Sequence, residues 1–488
     1  MRLTVAPAVT IHLCVRGCGE TEVEYTEAMS KDQKRRQELE QLDKVSLIEG
    51  YLLLEKRLAT VEAQMNALKQ ALGIKPDKTS ANSSVPPSRD PKAKLKLKQK
   101  ARRGPKKGHA GKSRQRQEPN EIVECRVSQC ACCGHDLSTL PQHEVGRHQI
   151  IDLPPLRPVV QEVVRYGRYC PGCQSYQRAA APTGYEPGRV LGPHLEGVVL
   201  YLHYAHPLSY ERVQTILRDM TGLKLGIGTL VNIVKRGQAT LQQGAEAIRQ
   251  RIQQAAVVGS DETGVRVDGQ NQWQWVFQNE QWAYYVIRPS RAAQVLQDVM
   301  ADAQPQVWVS DAYSAQMNHP AQQYQLCLAH QLRDLQYLMD AQDCAWATQL
   351  QALFRRAIHL HNVRDTLSER RFDLLAQACA WKLDQLLGRE PPSEDSQRLW
   401  RRFHKHRSAL LLFLERDDVP PTNNASEQAL RNSVIYRKVT GGFRTPWGAA
   451  LYANLLAILE SARRQRRSIC EILISLFTPT PALSWIGE

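Results

Sequence analysis

AVVGSDETGVRVDG, residues 256–269, is where the character of the chain changes. A β-branched run leads into an acid pair, and an alternating segment then ends at Asp-Gly. WQWVFQN (273–279) and WAYYVIRPS (282–290) read as a strand pair that turns at Asn279-Glu280. RAAQVLQDVMAD (291–302) has helical spacing, and QVWVSDAYSA (306–315) returns to strand character.

Strand, strand, strand, helix, strand is the order of a ribonuclease-H-like α/β core. In both VVGSD and VWVSD an acid follows a β-branched run and a serine. Asp261 then lies on the first strand and Asp311 at the end of the fourth. A carboxylate at such a position suits a metal better than a core. Taken singly, either acid is a turn residue, and Glu262 is an alternative ligand to Asp261. A third acid, Glu427, sits in PTNNASEQALRNSVIYRKVTGGFRT, residues 421–445. The spacing Asn424-x-x-Glu427 is that of a helix capping box, in which a Glu reaches back to the cap.

The chain has 488 residues and a net charge of +15. That length predicts two to four domains. The charge is concentrated: residues 88–116 hold thirteen Lys and Arg against one acid, a local charge of +12. Such a tether suits a polyanion, bound through counterion release with little sequence preference. No stretch approaches the ~18 uninterrupted apolar residues of a membrane span, and a cytoplasmic, nucleoid-associated protein is expected.

Residues 1–28 form an N-terminal extension, with Met29 as an alternative start. Over 29–75 the apolar residues Leu47, Tyr51, Leu54, Leu58, Val61, Met65, Leu68 and Leu72 step by 4 and 3. This is a coiled-coil seam, and it predicts self-association. Residues 76–120 read as a basic disordered linker. In 121–190, Cys130-x-x-Cys133 and Cys170-x-x-Cys173 have the pairing of a structural Zn²⁺ site in a zinc ribbon. Cys132, Cys125 and His135 stand as alternative ligands. HQIIDLP (148–154) and VVQEVVRYGRY (159–169) read as its strands. Over 191–250, SYERVQTILRDMTGLKLGIGTLVNIVKR (209–236) reads as a helix-turn-helix, its second helix starting near Gly228. Residues 251–465 are the catalytic domain, with a helical insertion at about 331–420, and 466–488 are a C-terminal element.

SDETGVRVDG, SDAYSA, CLAHQLRDL and NNASEQALRNSVIYRKVTGGFRT occur in that order. With TSANSSVPPS, KKGHAG, the cysteine pairs and the coiled coil, they resemble transposases of the IS66 family of bacterial insertion sequences. The resemblance implies a DDE triad of Asp261, Asp311 and Glu427 on a ribonuclease-H-like fold. It also implies double-stranded DNA, both element ends and target, as partner, and leaves room for accessory proteins of the same element. This chain departs from the family at Ser426-Glu427-Gln428, where Ala-Glu-Arg is usual.

Two Mg²⁺ or Mn²⁺ ions are the cofactors expected of three carboxylates handling a phosphodiester. Asp261 is expected to bridge both ions, with Asp311 and Glu427 holding one each. Arg431, Arg437, Lys438, Arg444, Lys106, Lys107 and the glycines of TGGF are candidates for DNA backbone contacts. Cys327 and His330 have metal-pair spacing without a second pair. Two rivals to a transposase remain: a non-enzymatic DNA-binding regulator, and a structure-specific nuclease of the same fold.

Overall fold

The structure is a computed structural model that describes residues 75–83, 114–341, 344–478 and 483–487, with scattered positions between 49 and 68. Most of the extension, the coiled-coil stretch and the lysine-rich part of the linker, with Lys106 and Lys107, lie outside the described residues. The chain divides into two units, residues 1–77 and 78–488. In the first, the described positions between 49 and 68 are helical. Leu54, Leu58, Val61, Met65 and Leu68 of the apolar seam are exposed there.

In the second unit, residues 79–82 of the expected disordered linker form a turn instead. Asn82 is buried; its Oδ1 accepts the Thr79 N–H at 2.8 Å, and its Nδ2 donates to Asp340 at 2.8 Å. An asparagine that bonds the backbone two or three residues away stabilises a turn locally, and Asp340 docks it.

The cysteine-rich segment holds one short hairpin, β1 (Gly167–Cys170) and β2 (Ser175–Arg178). The strands expected over 148–154 and 159–166 are not formed. Ile150, Leu153, Val159 and Val160 are more than four-fifths exposed. Their apolar residues come in adjacent pairs, so no single face could be buried, and a strand needs a partner and a buried face.

The helices α1 (Pro193–Leu200), α2 (Tyr210–Thr221), α3 (Ile227–Arg236) and α4 (Gln238–Gln253) follow. Ser209 caps α2, and Gly222, at φ +77°, ends it in the left-handed conformation that favours glycine. The expected helix pair is therefore present, and α3 starts where the sequence placed it. Arg189 and Arg236 both pair with the buried Glu196 of α1.

The central sheet contains β3 (Val257–Val267), β4 (Gln270–Gln278), β5 (Ala283–Arg288), β6 (Val307–Ser310) and β7 (Gln323–Leu326). Its order is β5-β4-β3-β6-β7. The first three strands form an antiparallel meander, and β6 and β7 run parallel to β3. Helix α5 (Gln294–Met300) crosses from β5 to β6. The short helix α6 (Ser314–Met317) leads to β7, a strand that sequence reading missed. QYQL is four residues with two glutamines, too short and polar to stand out. Gln325 nevertheless lies buried, its amide bonded to Leu410 and Phe413 backbone groups.

The helices α7 (Leu328–Ala341), α8 (Ala345–Asn362), α9 (Glu369–Leu387), α10 (Glu394–Lys405) and α11 (Leu412–Glu415) form the insertion. The chain returns through α12 (Asn424–Thr440), α13 (Pro446–Arg464) and α14 (Ile469–Ser475). The sheet carries a core on each face. In β6, Trp308 faces one core, with α4, α12 and α13, while Val307 and Val309 face the insertion helices. Strand side chains alternate between faces, so the unbroken apolar run VWV is explained by burial on both sides. Each fully buried residue of this size contributes roughly 1.5–3 kcal/mol. No helix among the described residues is long and apolar enough to cross a membrane.

Candidate active site and cysteine pairs

The register of two parallel strands sets the first two acids. Gly259 of β3 is partnered with Val309 of β6. Asp261 and Asp311 each lie two residues beyond that pair, so they are level at the same end of adjacent strands, which run about 4.8 Å apart. Asp311 follows the last residue of β6, and its Oδ1 accepts the Tyr313 N–H at 2.9 Å in a turn.

The third acid arrives through a long-range bond. The expected capping box at Asn424 is not formed: Asn423 is the N-cap, and Glu427 lies in the first turn of α12. The Asn423 side chain does not cap the helix. Its Nδ2 donates to the Ser260 carbonyl at 2.7 Å, and its Oδ1 accepts from Ser426 Oγ at 2.6 Å. Ser426 in turn accepts from Gln278 Nε2 at 3.1 Å. The helix bearing Glu427 is thus tied to the residue before Asp261. Gly259 must be small here, because a Cβ would come within 2.4 Å of Gln278 Nε2. This buried knot gives the Ser426 hydroxyl both a donor and an acceptor role.

Cys327 closes the same junction. Its N–H donates to Ser310 O at 2.8 Å, its Sγ accepts the Asn423 N–H at 3.1 Å, and the next N–H, of Leu328, reaches Pro421 O at 3.0 Å. Burial pushes the Cys327 thiol up to about 11, so it stays protonated at neutral pH and is a poor metal ligand. Its role is to join the end of β6 and the starts of α7 and α12.

Electrostatics record the convergence. Burial first, then the charges of Glu262, Asp311 and Glu427, push the Asp261 carboxyl well above its ordinary range. A half-buried carboxylate facing three others needs a cation or a proton. Glu262 is engaged by neighbouring side chains. Its Oε1 accepts from Arg291 and its Oε2 from Gln316 Nε2 at 2.6 Å, so both oxygens are used. Arg291 stacks over Tyr313, 4.0 Å from the ring centroid, and over Trp273 at 4.9 Å. Tyr313 Oη donates to Arg291 O at 2.9 Å. This brace holds the turn that follows Asp311. The sequence shows only an acid beside an acid, and nothing in it foretold Arg291 as partner.

Glu427 faces α7. His330 Nε2 and Arg333 Nη2 each stand 3.7 Å from its Oε1.

In the cysteine-rich segment, Cys130 O accepts the Gly134 N–H and Cys130 N donates to His135 O, both at 2.9 Å. Gly134 has φ +74°. Hydrogen bonds from the Cys133 and Cys132 backbone, then from the Cys133 side chain, lower the Cys130 thiol. The second pair spans the β1–β2 turn. There Ser175 Oγ, 2.9 Å away, and then the Cys170 side chain lower the Cys173 thiol. Each pair is a tight turn whose polar groups favour thiolate. Among the described residues, no three Cys, His, Asp or Glu side chains stand close enough to hold one ion together, either here or at the acids.

Two family models match this chain. One, Transposase IS66 family, covers residues 188–451, which contain Asp261, Asp311 and Glu427. The chain belongs to the IS66 transposase family. The other, the zinc-finger binding domain of transposase IS66, covers residues 128–174 and with them both cysteine pairs. The chain is also similar to an uncharacterized protein, y4jO, of Sinorhizobium fredii, 34% identical over 71 residues. That match spans 14% of this chain and 22% of the relative, so the chain covers about a fifth of the length of that curated relative.

Around the family's C-terminal motif the basic residues divide. Arg431, Lys438 and Arg444 are exposed. Arg437 is half-buried and donates to Gly264 O and, at 3.4 Å, to Thr263 Oγ1, so its guanidinium is committed to β3. The TGGF glycines also have a structural task. Gly441 and Gly442 have φ +78° and +94°, and they turn the chain so that Phe443 pairs with the end of β3. A Cβ on Gly442 would lie 3.1 Å from Arg266 O.

Asn423→Ala is expected to destabilise the protein by about 2–4 kcal/mol, because it strands the Ser260 carbonyl and Ser426 hydroxyl in a buried site. It also frees the start of α12, so affinity for Mn²⁺ should fall about 10–100-fold, as when ligand-orienting groups are lost. Chemical denaturation and Mn²⁺ titration check both; wild-type values in each would remove the anchor.

Proposed function

We propose that this chain is a DDE transposase with a ribonuclease-H-like core, which cleaves DNA at the ends of an insertion sequence and joins the freed 3′-hydroxyl to target DNA. The reading is carried by one observation. Two acids lie level on adjacent parallel strands, and the helix that carries the third is bonded to the backbone beside the first. The sheet order β5-β4-β3-β6-β7, with only β4 antiparallel to its neighbours, supports the ribonuclease-H-like reading.

The donors fit a hard divalent cation. They are carboxylate oxygens, and their mutual repulsion in a buried site is relieved by positive charge. Asp261, Asp311 and Glu427 would hold Mg²⁺ or Mn²⁺, which when bound activates a hydroxyl nucleophile and stabilises the leaving oxygen. Asn423 and Cys327 position the acids, and the Glu262–Arg291 brace keeps Asp311 in its turn. The four thiols of Cys130, Cys133, Cys170 and Cys173 fit a structural zinc ion. Helices α2 and α3, the zinc knuckles, the basic linker with Lys106 and Lys107, and the exposed Arg431, Lys438 and Arg444 offer surfaces for double-stranded DNA. The seam over 47–72 favours self-association as a coiled coil. The protein would act at the nucleoid in the cytoplasm.

The test uses purified protein, Mg²⁺ or Mn²⁺, and labelled DNA carrying the element's terminal repeats. Cleavage and joining should both occur, and each of Asp261→Ala, Asp311→Ala and Glu427→Ala should abolish them. Cutting without joining would indicate a nuclease. DNA binding with no reaction, unchanged by Asp261→Ala, would indicate a regulator.

A further inference from the structure

We infer that His330 and Arg333 form a pair that grips a phosphate of the DNA strand beside Glu427. This deepens the transposase reading and rests on it. The residues lie three apart on α7, a spacing that puts side chains on one helical face, and both converge on Glu427. At 3.7 Å both stand beyond hydrogen-bond reach of the carboxylate, a reach of about 2.7–3.2 Å. Their donors are therefore not consumed. Arg333 donates no side-chain hydrogen bond among the described residues, and His330 Nδ1 is buried without a partner. The side chains are 29% and 18% exposed, so both can be reached from solvent.

The other arginine at the acids is already occupied. Arg291 is bound to Glu262 and stacked on two rings. A DNA strand entering here adds negative charge beside three carboxylates. Arg333, with a planar fork of donors, suits a phosphate's paired oxygens. The pair is also held in place. Cys327 and Leu328 fix the start of α7, and Asp334, next to Arg333, is bound by Arg402 of α10. A fixed donor pair loses little on binding.

The experiment measures affinity of the full chain for a labelled terminal-repeat duplex in Ca²⁺ as a function of salt, for wild type, Arg333→Gln, Arg333→Lys and His330→Asn. Each lost phosphate contact lowers the slope of log affinity against log salt by about one unit. Arg333→Gln should show that loss and about tenfold weaker binding, and Arg333→Lys should restore the slope. His330→Asn should weaken binding at every salt concentration. Mn²⁺ titration without DNA provides the second readout. If the two residues only steady Glu427, Mn²⁺ affinity changes while the DNA slope and affinity stay at wild type, and the inference is overturned. The slope is read without turnover. A wild-type protein that neither cuts nor joins therefore refutes the transposase reading separately, and the slope still decides the phosphate contact.

Discussion

Asp261→Asn is expected to lower strand cleavage and joining about a thousandfold or more, since it removes a ligand from metal-dependent phosphoryl chemistry. The same substitution should raise the melting temperature of the metal-free protein by a few degrees. Both effects have one cause. The carboxylates around Asp261 repel one another when no cation neutralises them. The pH dependence follows from the direction of the shift. In the unfolded chain Asp261 ionises near its ordinary value of 3.8, whereas in the native chain burial and neighbouring charges raise it well above that. The native state therefore holds the proton more tightly. The stability this confers is complete below about pH 3.8 and is lost as pH rises through the folded-state value. Replacing Asp261 with Asn should thus leave stability nearly unchanged at pH 3 and increase it at pH 7. Glu262 is raised as well, by burial first and then by Asp311, but its bonds to Arg291 and Gln316 make it a brace. Glu262→Gln should reduce activity less than Asp261→Asn. Melting curves at the two pH values with EDTA, and single-turnover cleavage in Mn²⁺, provide the measurements. A lower melting temperature for Asp261→Asn at pH 7, or full cleavage by it, would refute the argument.

The second large effect concerns the cysteine pairs. Purified protein is expected to contain about one zinc per chain, and Cys170→Ser should lose it. A structural zinc site contributes roughly 10–16 kcal/mol of apparent binding free energy at neutral pH, and that energy is folding energy for the segment it closes. The segment has little else to fold with. Its one hairpin has four residues per strand, and its apolar side chains lie in solvent. Hydrogen bonds already lower the Cys130 and Cys173 thiols, so zinc should persist to lower pH than it would on free thiols. In Cys170→Ser, residues around 121–190 should become sensitive to protease while the sheet domain keeps its melting transition. Metal analysis and limited proteolysis report on this. Pure protein without zinc, or a variant with wild-type resistance, would contradict it.

Local pattern carried much of the reading. The β-branched runs before Asp261 and Asp311, the Asn279-Glu280 turn and the helical insertion are written in periodicity, which a single stretch of chain displays. The IS66 motifs, in their order, sufficed to indicate the family. What local pattern misjudged were segments whose state depends on distant partners. VVQEVV has strand-forming residues and no sheet to join, whereas QYQL is unpromising and is ordered by Leu410 and Phe413. The capping box was misassigned because Asn423 bonds a carbonyl 163 residues away.

By itself the sequence indicated the family, the β-β-β-α-β order of the central segment and the three candidate acids, because residue type and spacing record those directly. Only the tertiary structure decided that Glu262 is engaged by Arg291 and Gln316, that Arg437 is committed to β3, and that His330 and Arg333 face Glu427. Those assignments depend on which donors and acceptors are satisfied across the fold. A buried polar group is fixed by its partner's position in space, and spacing along the chain does not reveal that position.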